Sequence, residues 1–170
     1  MKKRTLFLVQ SAIIAALYAT ATILPFSLSF EAVQFRFAEA LTILPFFTPA
    51  AIPGLTIGCI VANMWSRFGI VDIVFGSLAT LLAALATYYV RKLKFGKFFA
   101  PLPPVLFNAV IVGALIAYAS TGHPFNVDIF RTMFIFNFLS VGFGELAICY
   151  GLGLPLLLAL EKYKEKIFKT

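Results

Sequence analysis

Apolar residues in this chain neither alternate as in a half-exposed strand nor keep to one face of a helix. They run unbroken. Residues 5–24, 71–90, 99–120 and 129–160 form four long stretches nearly free of charge, and a helix needs roughly 20 apolar residues to cross a bilayer. Segments such as Ala79-Thr-Leu-Leu-Ala-Ala-Leu-Ala86 are apolar on every side. That excludes a transmembrane β-barrel, whose strands alternate over segments of about 10 residues. Each stretch predicts a membrane-spanning helix. The last is long for one crossing, since about 30 residues rise about 45 Å; it must tilt or protrude, and it carries Glu145 near its middle.

Residues 31–70 are harder to read, because Pro45, Pro49 and Pro53 interrupt them. Charge placement sets how often they cross. Lys2, Lys3 and Arg4 precede the first stretch; Arg91, Lys92, Lys94 and Lys97 follow the 71–90 span; Lys162, Lys164, Lys166 and Lys169 end the chain. Basic loops stay on the cytoplasmic side, so these three clusters predict one common side, with Arg36, Arg67 and Arg131 opposite. An even number of crossings must then lie between the N-terminus and residue 91. Two short helices, at about 33–47 and 50–65, satisfy that count and give six spans. Each is only about 22 Å long, so they sit beside a thinned or water-filled region, or form a sheltered re-entrant hairpin instead. The expected fold is an all-α membrane protein: a six-transmembrane-helix bundle with cytoplasmic N- and C-termini, forming one domain over residues 1–170.

Composition agrees. Of 170 residues, 61% are hydrophobic and 12% charged, with 20 Phe and a mean hydropathy of +0.97. Soluble domains carry about 25% charge, so a soluble enzyme, a coiled coil and a disordered chain are excluded. The apolar stretch after Met-Lys-Lys-Arg is too long for a signal peptide and has no convincing cleavage site, which predicts a retained first helix. There is no linker and no convincing internal repeat. The net charge of +7 reports topology rather than nucleic-acid binding.

Charges within a bilayer cost at least about 2.5 kcal/mol each and mark function. Glu39 and Glu145 are the two that no loop explains. Arg36 and Glu39 are spaced to pair at i, i+3, either capping the end of the second span or lining a cavity. Glu145 follows Gly142 and Gly144 and has no basic neighbour on its own helix. Its partner comes from another helix or from a ligand with cationic or N–H groups. Asn63, Trp65, Arg67 and Asp72 gather around the loop between spans three and four. Asn137 lies two turns before Glu145, and Asn108 about a third of the way along span five. Each Asn suits interhelical bonding as well as ligand contact. Trp65 suits an interface anchor or a stacking platform, and Phe30, Phe35, Phe37, Phe136 and Phe138 would suit an aromatic solute.

Two small-residue stripes mark span one: Ser11, Ala15 and Ala19, and beside them Ala12 and Ala16. Such faces admit another helix closely, either within the bundle or from a partner subunit. Cys59 and Cys149 lie in apolar runs and read as small buried hydrophobes. The single His123, in a Gly-His-Pro loop, has no ligand partners nearby. Neither a P-loop nor an H-E-x-x-H or G-x-S-x-G motif occurs. Gly142-Phe-Gly-Glu-Leu-Ala147 spells G-x-G-x-x-A without a preceding strand and is a chance match. No catalytic residue, metal site or cofactor is expected, and the chain does not read as an enzyme.

Five segments, in order, resemble the QueT family: Phe35-Arg-Phe-Ala-Glu-Ala-Leu-Thr-Ile-Leu-Pro45, Thr48-Pro-Ala-Ala-Ile-Pro-Gly54, Asp72-Ile-Val-Phe-Gly-Ser-Leu-Ala79, Pro101-Leu-Pro-Pro104 and Gly144-Glu-Leu-Ala-Ile-Cys-Tyr-Gly151. The resemblance spans nearly the whole chain. It implies a multi-pass S component of an energy-coupling factor (ECF) transporter in the cell membrane, binding a queuosine precursor near the outer face. It also implies a membrane coupling subunit and two ATPase subunits as partners, and a docking surface on the first helix that the Ala12/Ala16 and Ala15/Ala19 stripes would supply. A 7-deazaguanine such as preQ1 or preQ0 presents adjacent N–H donors that one carboxylate accepts side by side. Glu39 and Glu145 are the candidates, with Asn137 or Asn63 at the carbonyl edge and Trp65 or a Phe stacking. An aminomethyl substituent would call for a second carboxylate. Another ring-shaped solute, or a stand-alone channel, is the alternative.

Overall fold

A computed structural model describes residues 3–25, 36–122 and 124–168, and among them every regular element is a helix, without a strand. The described residues form nine helices in order: α1 (Lys3–Ile23), α2 (Phe37–Phe46), α3 (Ala51–Asn63), α4 (Ile70–Val90), α5 (Gly96–Phe99), α6 (Leu102–Thr121), α7 (Val127–Ile148), α8 (Leu154–Glu161) and α9 (Lys164–Ile167). A single π-helical turn, Cys149–Gly153, joins α7 to α8 into one continuous rod. Among the described residues, four stretches are long and apolar enough to cross a membrane: Lys3–Ile23, Ile70–Val90, Gly96–Thr121 and Val127–Glu161. They coincide within a few residues with the four predicted spans. His123, Phe30 and Phe35, together with the start of the second predicted helix, lie outside the described residues.

Local sequence explains the breaks. Asn126 caps α7, its Oδ1 accepting from the amides of Asp128 and Ile129 at 3.0 Å each, while Asp128 sits where the helix dipole favours an acid. Pro103 and Pro104 occupy the first turn of α6, where their missing amides cost nothing. Gly69 and Gly122, with φ of +59° and +68°, turn the chain at the two ends where other residues would be strained.

The short pair behaves differently from expectation. α2 is wound as a 3-10 helix over ten residues, whereas such runs usually stop at three or four. The Thr42 hydroxyl donates to the Glu39 carbonyl at 2.5 Å, bonding back into the preceding turn, and Pro45 lacks the amide that an α-helical ladder would use. At about 2.0 Å per residue, α2 spans about 20 Å. The thirteen residues of α3, at about 1.5 Å each, also span about 20 Å. The two legs are matched in length and shorter than a hydrocarbon core of about 30 Å.

α2 can be short because it is at the centre. Ala38, Glu39, Ala40, Thr42, Ile43, Leu44 and Pro45 are all buried, and α1, α3, α4, α7, α8 and the π turn all touch it. On its flank α1 and α3 approach backbone to backbone. A Cβ on Gly54 would sit 2.8 Å from the Ser11 carbonyl oxygen, and one on Gly58 2.7 Å from that of Ala15; this G-x-x-x-G face fits only because both are glycines. Of the two small-residue stripes on α1, Ser11 and Ala15 are therefore used inside the bundle, with Ala19 half-buried beside them. Ala12 and Ala16 face outward.

Members of each basic cluster, Lys3, Arg91, Lys92 and Lys164, gather around the turn between α2 and α3. The turn between α2 and α3 supplies Thr48 and Pro49 to a cavity shared with Lys3. It supplies Phe46 and Phe47 to another shared with Arg91, Lys92 and Lys164. Lys97 pairs with Glu161 at 3.6 Å, and Phe47 stacks on Phe168 with ring centroids 5.2 Å apart.

Candidate functional site

The polar residues that sequence singled out sort into one interior cluster and a few outliers. Arg36, Glu39, Asn63, Asp72, Asn108 and Glu145 are each at most 2% exposed. They come from α2 and the residue before it, and from α3, α4, α6 and α7, and they converge on the inner side of the bundle.

Arg36 forms its ion pair with Asp72, Nη2 to Oδ2 at 3.4 Å, rather than with Glu39 as the i, i+3 spacing predicts. The reason is local. Arg36 has an extended backbone (φ −82°, ψ 99°) ahead of the first turn of α2, so it does not share a helical face with Glu39. Glu39 instead accepts from the Tyr18 hydroxyl of α1. Its backbone carbonyl is held by Thr42 and by the Cys149 thiol at 3.7 Å.

Glu145 finds its partner on another helix. Asn108 Nδ2 donates to Oε1 at 2.8 Å, and the Cys149 thiol lies 3.6 Å from Oε2. Asn108 also faces Glu39, and the two carboxyls are within electrostatic reach of one another and of Arg36. Asn63 donates to the Asp72 carbonyl at 3.0 Å and lies 3.4 Å from the Cys59 sulfur, which Thr80 also approaches at 3.3 Å. Gly76 makes room here. A Cβ on it would lie 2.6 Å from Asp72 Oδ1 and 2.7 Å from Asn63 Nδ2.

Among the described residues, four buried polar atoms have no hydrogen-bond partner: Glu39 Oε2, Asn63 Oδ1, Asp72 Oδ1 and Ser77 Oγ. Leaving a buried polar atom unsatisfied costs about 1–3 kcal/mol. With both carboxyls ionised, three of the four only accept, so the cluster then calls for donors. Charge points the same way, with three carboxyl groups and one guanidinium gathered in a low-dielectric interior.

Other candidates stand apart. Trp65 is 55% exposed at the end of α3. Asn137 donates at 2.7 Å to the Met133 carbonyl of its own helix, about 12 Å along α7 from Glu145. Phe37 and Phe136 are exposed, and Phe138 belongs to a row of rings with Phe134 and Phe130 along α7. Both cysteines are free and buried as expected, yet their thiols bond within the polar cluster rather than serving as inert filler. Sequence reasoning missed Tyr18, Thr42, Gly76, Ser77 and Thr80. Tyr18 had a visible signal: Ser11, Ile14, Tyr18 and Thr22 recur at three- and four-residue spacing and form the buried face of α1. Among the described residues, no three His, Cys, Asp or Glu side chains are placed to hold a metal ion.

Comparison with known proteins gives the family. The profile described as QueT transporter matches residues 8–162. A queuosine precursor transporter QueT from Lactococcus lactis subsp. cremoris is 40% identical over 83 residues, 48% of this chain and 48% of that protein, so the match spans about half of the relative's length. No solved structure matches the fold. With the family profile running through all six apolar helices and across every residue of the buried polar cluster, the chain belongs to the QueT transporter family.

Proposed function

We propose that the chain is the substrate-binding S component of an ECF-type importer in the cell membrane. It takes up a queuosine precursor of the 7-deazaguanine class, while partner subunits, a membrane coupling protein and two ATPases, supply the energy. The observation that carries this reading is the set of unpartnered acceptors, Glu39 Oε2, Asp72 Oδ1 and Asn63 Oδ1, buried together in the bundle. A 7-deazaguanine offers adjacent ring N–H and exocyclic NH₂ donors. Glu39 would accept them while Tyr18 steadies its other oxygen. Glu145, with both oxygens already occupied by Asn108 and Cys149, would act as a positioning residue through Asn108. Asp72 and Asn63 would meet the substituent at the far edge of the ring. Family membership supports the transport role, and the relative's name supports the solute class.

The exposed Ala12/Ala16 stripe would be the surface for the coupling subunit, because the neighbouring Ser11/Ala15 stripe is spent on α3. The three basic clusters, whose members meet around the turn between α2 and α3, support a cytoplasmic location for both termini and a single membrane domain. The test is calorimetry on the purified protein with preQ1, preQ0, guanine and a panel of unrelated vitamins. Saturable binding of a deazaguanine alone is expected. Binding of a different ring compound would replace the substrate, and ATP-independent accumulation in cells lacking the ATPases would replace the ECF reading with a facilitator.

A further inference from the structure

The end of the bundle around the turn between α2 and α3 carries two cavities that meet at one side chain. The first, of about 490 Å³, has a basic wall of Arg91, Lys92 and Lys164 and an aromatic wall of Phe46, Phe47 and Phe168. Its acidic residue, Glu161, is already held by Lys97 at 3.6 Å. The Arg91 guanidinium is set against the Tyr88 ring, 3.7 Å from the centroid. The second cavity, of about 370 Å³, is an apolar groove between α1, α2 and α8, lined among others by Ile14, Leu17, Leu44, Leu156 and Leu160. Phe168 lines both, stacked on Phe47 at the boundary. From Gln10 at its upper edge to Leu17, the groove follows α1 for about 10 Å into the membrane-spanning part of the bundle.

A cationic pocket at the membrane surface, continuous with an apolar groove running inward, matches one chemistry: a diacyl lipid with an anionic phosphate head. Phosphate is met by guanidinium and ammonium groups, and its acyl chain by leucine and isoleucine side chains. A zwitterionic lipid fills the groove equally well but wastes the basic wall. We infer that this end of the protein holds one anionic phospholipid, its head group between Arg91, Lys92 and Lys164 and one chain in the groove beside α1.

Native mass spectrometry of the detergent-purified, delipidated protein tests it, after incubation with an equimolar mixture of phosphatidylglycerol and phosphatidylcholine of identical chains. One retained phosphatidylglycerol is expected. Arg91→Gln with Lys92→Gln and Lys164→Gln should lower that retention about tenfold or more, whereas Lys3→Gln with Lys94→Gln and Lys166→Gln, equal in charge loss, should leave it intact. Leu160→Phe should weaken retention by narrowing the groove. Equal loss in both triple variants would overturn the site in favour of diffuse attraction, as would equal retention of the two lipids. Competition by free glycerol phosphate at the lipid's own concentration would show an anion pocket without a lipid. If the first triple variant keeps its lipid yet no longer assembles with the ATPase module, the basic wall belongs to a protein partner and the inference fails.

Discussion

The Tyr18 hydroxyl donates to Glu39 across the interface between α1 and α2, which ties the most exposed of the long helices to a fully buried acid. Both residues are fully enclosed. Tyr18 thus occupies one carboxyl oxygen and leaves the other, Oε2, facing the cluster without a partner.

Tyr18→Phe removes the donor without changing the ring. The variant is expected to lose about 1–3 kcal/mol of stability, the cost of an abandoned buried acceptor, and to bind ligand more weakly because the Glu39 carboxyl is free to rotate. Thermal unfolding with and without ligand separates the two effects. An unchanged unfolding temperature would mean that the bond carries no weight.

Glu39 and Glu145 should not be equivalent. Glu39→Gln replaces an unpartnered acceptor oxygen and is expected to weaken ligand binding about 10- to 100-fold, the range for a bond to a charged group. Glu145→Gln, whose oxygens are met by Asn108 and Cys149, should cost less. Calorimetric titration of the two variants ranks them, and the reverse order would reassign the ligand-contacting carboxylate.

The Arg36–Asp72 pair is buried, so breaking it from one side strands a charge. Arg36→Met is expected to destabilise by about 3–5 kcal/mol, and the double variant with Asp72→Asn to recover much of that. Chemical unfolding of the single and double variants measures the coupling. Additive losses would indicate that the two side chains act independently.

The inner and outer faces of α1, probed from α3 and from α1 itself, predict opposite phenotypes. Gly58→Val drives a side chain into the Ala15 backbone and should cost about 1–3 kcal/mol or more in stability. Ala12→Leu with Ala16→Leu alters only exposed positions, so it should leave unfolding and ligand binding unchanged while reducing co-purification of the proposed coupling subunit. Intact assembly in that double variant would move the docking surface elsewhere.

The long spans were legible because lipid demands unbroken apolar runs, and such runs leave few alternatives. The acids were legible for the converse reason: a charge among twenty apolar residues stands out. Pairings were not. Arg36 and Asp72 are 36 residues apart, Asn108 and Glu145 37, and nothing in local spacing indicates which helices meet. The winding of α2 was hidden as well, because Ala, Leu, Thr and Ile suit α and 3-10 turns alike, and Pro45 marked an irregularity without naming it. The stripes on α1 were visible, but the sequence alone left open which faced inward; Gly54 and Gly58 on another helix decide it.

Cys59 and Cys149 are the chain's two cysteines, and both border the polar cluster, one against Asn63 and Thr80, the other against Glu145 and Thr42. The protein therefore carries its own pair of chemical reporters, needing no engineered labels. Because both thiols are buried, maleimide labelling would time any opening of the interior that uncovers them, and peptide mapping would tell which thiol is reached first.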